Sequence, residues 1–345
     1  MPLRILRRNT ALKFCLRSVT KPTERKLTMT TTTINRPNIL SRVGVDVSAA
    51  KSGAEALSMA KLNWSVSPRE LFHAAAAPEG HLDPREIPTH RAFVRDDSEA
   101  VLSVLTKDFT PVQNEKVLSF FDPFLSSGEA SLEFAGELKG GKAIWACAKL
   151  NRAPIVVKGD DTVNKYLLAV NSHDGTRALR VQLLPFRPVC SNILQRLDKL
   201  GNFIRILHTS KAEASLDEVQ KIVNASNAQF EATAKQYQKL ASKSVKQKDL
   251  EKFVKIVFAP HNADEQRQEL ALEKHKETIQ RLFETGAGSD LESAKGTYWG
   301  LYNAVTEYLT HERGRSEASR MASLVLGSEA RLGAKALDAA LVMAK

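Results

Sequence analysis

The stretch KYLLAVNSHDGTRALRVQLLPF, residues 165–186, constrains the fold more than any other part of the chain. Its first half is a continuous apolar run, its second half alternates, and Asp174–Gly175 between them is strong turn chemistry. An antiparallel β-hairpin satisfies all three features. Leu179, Val181 and Leu183 are expected to face inward, and Ala178, Arg180 and Gln182 outward. His173 and Asp174 then fall at the hairpin tip. A catalytic dyad is the alternative use of that pair, but turn chemistry accounts for both residues.

The same logic organises the rest. ASLEFAGELKGGKAIWACAKL reads as a second hairpin, turning at Gly140–Gly141, with both faces of its second strand largely apolar. RAFVRDDSEAVLSVLT reads as two strands around Asp96–Asp97–Ser98, with Val101, Leu102, Val104 and Leu105 in the second. Between them PVQNEKVLSFFDPFLSSG predicts a helix of about three turns through Val117, Leu118, Phe121 and Leu125, limited by Pro123. Ahead of these, Ala56, Leu57, Ala60 and Trp64 share one face of a short helix, and AAAAPEGHLDPREIPTH, with Pro78, Pro84 and Pro88, is expected to be a linker or exposed loop. Beyond residue 207 the pattern turns helical. Ser215 and Glu218 form a capping-box pattern, and Leu216, Val219, Val223, Phe230, Tyr237 and Leu240 mark an apolar stripe. More helices are predicted at KDLEKFVKIVF, EQRQELALEKHKETIQRLFETG and TYWGLYNAVTEYLTHERG, with two short Ala-rich ones at the end. Strands first and helices afterwards predict an α+β fold: a mixed or antiparallel sheet built from hairpins, with a helical C-terminal half packed on it. The expected divisions are a basic leader at 1–28, an N-terminal helix and Pro-containing loop at 29–89, a strand-rich core at 90–207 and a helical region of the same domain at 208–345.

Charge narrows the partners. The net charge is +11, but residues 1–28 hold eight Lys/Arg against Glu24 alone, which leaves +4 on residues 29–345. Any polyanion must therefore meet a local patch. The leader reads either as upstream of a start at Met29, which is preferred, or as an organellar import segment. The three cysteines lie far apart and form no CxxC pair, so no zinc knuckle or disulfide framework is signalled and a reducing compartment fits. No run approaches the roughly 18 apolar residues of a membrane span. No cofactor and no metal are expected.

Catalytic constellations are incomplete. Asn303, Glu307 and His311 form a polar line at helical spacing, and Glu307 with His311 could share a proton or a metal, but a polar helix face paired at this spacing is the commoner explanation. GELKGGKA approaches a phosphate loop, yet Ala143 stands where a hydroxyl should hold magnesium, and a strand follows in place of a helix. Catalytic candidates are thus Glu307, His311, His173 and Asp174. The stronger feature is basicity on the hairpins: Lys142, Lys165, Arg177, Arg180 and Arg187, with Lys139 and Lys149 beside them, can line a groove for phosphates, and Trp145, Tyr166 and Phe186 could stack on bases.

Several runs also occur together in a telling order: FTPVQNEKVLSFFDPFL, LKGGKAIWACAKL, YLLAVNSHDGTRALRVQLLPFRPVCSN, IRILHT and GTYWGLYNAVTEYLTHERGR. Together they resemble the phage/plasmid-like family whose domain is classed as of unknown function (domain of unknown function 932 type). The likeness covers roughly residues 60–340. It implies carriage by phages, plasmids or integrated elements in a bacterial cytoplasm, with no established reaction and no known cofactor. Basic hairpins with helices are also similar in outline to single-strand annealing proteins.

The resulting expectation is a non-enzymatic mobile-element accessory that binds nucleic acid, single-stranded DNA in preference, and forms a homo-oligomer, with no membrane partner. Two alternatives stand beside it. One is an enzyme acting on a nucleotide or phosphoester through the Glu307/His311 face; the other is a protein-interaction module directed at a host component.

Overall fold

Alternation along the strands decides which segments pair and which faces meet the helices. The computed structural model describes residues 38–345 apart from 77–79, 81, 178, 195–203, 206–215 and 260–264. Helix α1 (Ile39–Val43), strand β1 (Val45–Asp46) and helix α2 (Gly53–Met59) lead into β2 (Val66–Ala76), β3 (Leu82–Arg95) and β4 (Ala100–Thr106). Two short helices, α3 (Asn114–Ser119) and α4 (Asp122–Ser126), precede β5 (Ala130–Leu138), β6 (Ala143–Leu150), β7 (Ile155–Lys158), β8 (Asp161–Ser172), β9 (Arg180–Arg187), β10 (Asn192–Ile193) and β11 (Ile204–Arg205). The rest is helical: α5 (Leu216–Ala241), α6 (Gln247–Phe258), α7 (Glu265–Thr285), α8 (Tyr298–Glu307), α9 (Glu317–Leu326) and α10 (Ser328–Met343), with a wider π turn at Tyr308–Glu312 after α8.

The fold is α+β, as the order of strands and helices predicts. The larger sheet is antiparallel in the order β1-β5-β6-β8-β9-β10, with β7 also on β8 and β11 also on β9, and it curls into a half-barrel. Ala143 through Ala148 of β6 are all buried, so this strand is covered on both faces, which is why its sequence is apolar without alternation. Trp145 and the β8 run Leu167–Leu168–Ala169 lie at the centre of that core. Both expected hairpins form. Lys139, Gly140 and Gly141 all take positive φ in the β5–β6 turn, which suits the two glycines best.

The smaller sheet, in the order β2-β3-β4, corrects two expectations. The sheet region begins well before residue 90, and the Pro-containing segment is not a loop but the outer arm of a long hairpin. Pro84 pairs with Ala74 where, among the described residues, no third strand follows, and Pro88 sits at the register shift beside Glu70 and Phe72. Both prolines therefore occupy positions where a missing N–H costs no central ladder bond. Trp64 also lies beyond α2, which ends at Met59, and is buried on the approach to β2. The single helix expected around Val117 is two, because Pro123 starts α4 afresh at its first turn. The last helix, at 16 residues, is longer than foreseen.

The α5 stripe is buried where it is described, at Phe230, Tyr237 and Leu240. The capping interaction expected from Ser215 lies outside the described residues, as do the leader and Met29. Among the described residues, no helix is long and apolar enough to cross a membrane.

Candidate anion-binding site

The β8–β9 turn is anchored by a buried histidine. His173 is fully buried, and its backbone N–H donates to the Lys142 carbonyl at 2.8 Å, which ties the β8–β9 turn to the β5–β6 turn. Asn114 uses its amide nitrogen on the carbonyls of Leu62 and Trp64, so its oxygen is the atom left to accept from His173 Nε2, at 2.9 Å. Trp64 packs edge-on against the ring. Burial drives the His173 pKa down to about 4, and the nearby Asp174 charge only partly opposes this. Asp174 instead accepts from the Thr176 N–H and hydroxyl, closing an Asx turn. The two neighbours thus serve a turn and a core, and the geometry does not join them as a dyad.

On this anchored turn the arginines gather. Arg177 is half-buried, and its pKa is lowered first by burial and then by the charges of Arg180 and Arg331, with Asp174 opposing. Arg180 opens β9 opposite Val170, while exposed Arg331 comes from α10, about 150 residues later in the chain. Like charges brought this close repel one another, and a bound polyanion relieves the repulsion. Lys142, exposed on the neighbouring turn, stands at the same end of the sheet.

The other expected phosphate ligands do not join them. Register pairs Lys165 with Pro185 and Arg180 with Val170, which places Lys165 and Arg180 on opposite faces of the sheet. Lys165 lies over the Phe230 ring of α5, and burial lowers its pKa. Arg187 is a correction: it is wholly buried at the far end of β9 and makes a bidentate pair with Asp161, both contacts 2.8 Å. Asp161 also accepts from the Ser293 hydroxyl at 2.5 Å and the Trp299 indole at 2.8 Å. This carboxylate therefore fastens the sheet to the helical region. The expected base-stacking aromatics are core as well: Trp145, Tyr166 and Phe186 are buried, with Tyr166 donating to Glu133.

The Glu307/His311 line is likewise inside the protein. Glu307 accepts from the Ala287 N–H, and His311 Nε2 donates to the Cys190 carbonyl at 3.0 Å. Asn303 caps back onto the Trp299 carbonyl. Both titratable groups are tied to backbone, with Glu307 almost fully buried. Among the described residues, no three His, Cys, Asp or Glu side chains converge as a metal set.

The arrangement defines an α+β protein with a basic patch on one sheet end, supported by a buried histidine. Residues 101–326 match the family described as a domain of unknown function, DUF932, so the chain belongs to that family. The match takes in the turn, β9 and the α8 line, and it ends at Leu326, before Arg331. No curated protein and no solved structure matches the chain.

Proposed function

We propose that the protein binds nucleic acid, single-stranded DNA in preference, as a non-catalytic accessory of a phage, plasmid or integrated element. The observation that carries this reading is that Arg177, at one sheet end, feels the charges of both Arg180 beside it and Arg331 from a distant part of the chain. Guanidinium groups suit phosphate because they offer a planar donor fork and keep their charge at any physiological pH. With Lys142 beside them, they can follow a backbone, and the tilt toward single strands rests on the outline similarity to annealing proteins. Cytoplasmic location in a bacterial host goes with this reading.

The test is fluorescence anisotropy of labelled single- and double-stranded DNA across a salt series. Saturable binding is expected, with log affinity falling linearly in log salt at about 0.7 per neutralised phosphate on a single strand. Replacing Arg177, Arg180 and Arg331 together by Gln should flatten that slope by about 2 and weaken all sequences alike. Absence of binding at low salt, or an unchanged slope in the triple variant, would overturn the proposal.

A further inference from the structure

The β2–β3 hairpin continues well past the end of β4, whose last pairing with β3 is His90 with Thr106. Beyond that point, the ribbon formed by residues 71–76 and 82–89 is two strands wide among the described residues, and nearly all its side chains are exposed. Its faces are unequal. The pairs Phe72 with Glu86, Ala74 with Pro84 and Ala76 with Leu82 place Phe72, Ala74, Ala76, Leu82 and Pro84 on one face, with Glu86 at its inner end. His73, Arg85, Ala75 and Asp83 take the other. Phe72 is 54% and Leu82 66% exposed, so the apolar face is open. A two-stranded ribbon with a bare apolar face is marginal alone and calls for a covering surface.

The same sheet carries a second open apolar patch. Val101 and Val104 on β4 are 58% and 52% exposed. One molecule cannot bring the two patches together: Leu82 lies ten residues along β3 from Ala92, the partner of Val104, a span of about 33 Å. Charge selects the kind of partner. Residues 71–89 contain Arg85 against Glu79, Asp83 and Glu86, a net of −2, whereas residues 29–345 as a whole are +4, leaving +6 outside the ribbon. An acidic ribbon is repelled by nucleic acid and attracted by the rest of this chain.

We infer that the β2–β3 ribbon docks on a second copy of this chain, laying Phe72 and Leu82 over Val101 and Val104 of that copy. Reciprocal contact of the two patches makes an isologous, closed dimer. The inference is independent of DNA binding.

Analytical ultracentrifugation of the full chain, with and without Phe72→Glu and Leu82→Glu together, tests the inference. The unaltered chain should dimerise, and the double variant should weaken the dimer at least tenfold, as should Val101→Glu with Val104→Glu. These four side chains are exposed, so the folded monomer should persist by circular dichroism. A second measurement combines Leu82→Cys and Val104→Cys in one chain and oxidises it; a covalent dimer sensitive to reductant is expected, because the intramolecular span far exceeds disulfide reach. A chain that stays monomeric at all concentrations overturns the inference. So does a dimer indifferent to both Glu pairs, or ribbon variants that lose DNA affinity while the assembly state stays unchanged.

Discussion

His173 shows how a side chain that reads as chemistry can be architecture. Its ring is enclosed by Trp64 and Asn114, and its pKa of about 4 lies below the roughly 6.5 of an unfolded histidine. The folded state therefore holds the neutral ring and binds fewer protons than the unfolded chain between these values. Stability from this site is complete above about pH 6.5 and is lost as pH falls toward 4, by about 3 kcal/mol in all. Urea unfolding at pH 7 and pH 5 should show this loss, and His173→Asn, though less stable at pH 7, should flatten the difference; an equal pH slope in the variant would remove His173 as the cause. Arginine roles were partly legible in the same stretch. Arg180 and Arg187 are seven residues apart on one strand, so parity alone puts them on opposite faces, and only one could share a face with any given ligand. What local sequence could not convey was the distant partner: Asp161 takes up Arg187, and Arg331 joins Arg177 from the other end of the fold.

At the scale of elements, hairpins with turn glycines and alternating runs were readable, because both signals are local. The β2–β3 arm was not, since its prolines break strands in general and only the absence of a third partner makes them acceptable here. Helix α8 was foreseen by spacing, but its packing makes a demand that spacing does not reveal. A Cβ at Gly300 would lie 2.0 Å from the Ala294 carbonyl oxygen, inside the loop that delivers Ser293 to Asp161. Alanine in place of glycine raises helix propensity by about 1 kcal/mol, yet the clash with backbone should cost more, giving a net loss of about 1–3 kcal/mol for Gly300→Ala. Thermal unfolding of that variant should show a lower midpoint; a raised midpoint would mean that the α8 start is not held against the loop.

Across the whole molecule, a buried carboxylate is a strong polar link between the sheet and the helical region, beside the Asn192 contacts to Asn303 and Thr306. Asp161 at the start of β8 meets Arg187 of β9, Ser293 of the loop before α8 and Trp299 of α8 itself, positions as much as 138 residues apart. Arg187 extends the link by donating to the Gly288 carbonyl at 3.3 Å. Burying two charges is costly, and the pair persists because the carboxylate accepts four hydrogen bonds, one at Oδ1 and three at Oδ2, and the guanidinium is doubly engaged. Removing one partner is therefore far worse than removing both. Asp161→Ala should lose about 3–5 kcal/mol, since it strands a buried guanidinium, whereas Asp161→Leu with Arg187→Met should recover much of that loss. The link also predicts how unfolding proceeds. Trp299 reports on the helical side and Trp145 on the sheet, so tryptophan fluorescence and far-ultraviolet circular dichroism should report one shared urea transition in the unaltered chain. In Asp161→Ala the two signals should separate, as sheet and helices lose their common anchor. Coincident transitions in that variant, with a loss below 1 kcal/mol, would show that apolar packing alone joins the two halves.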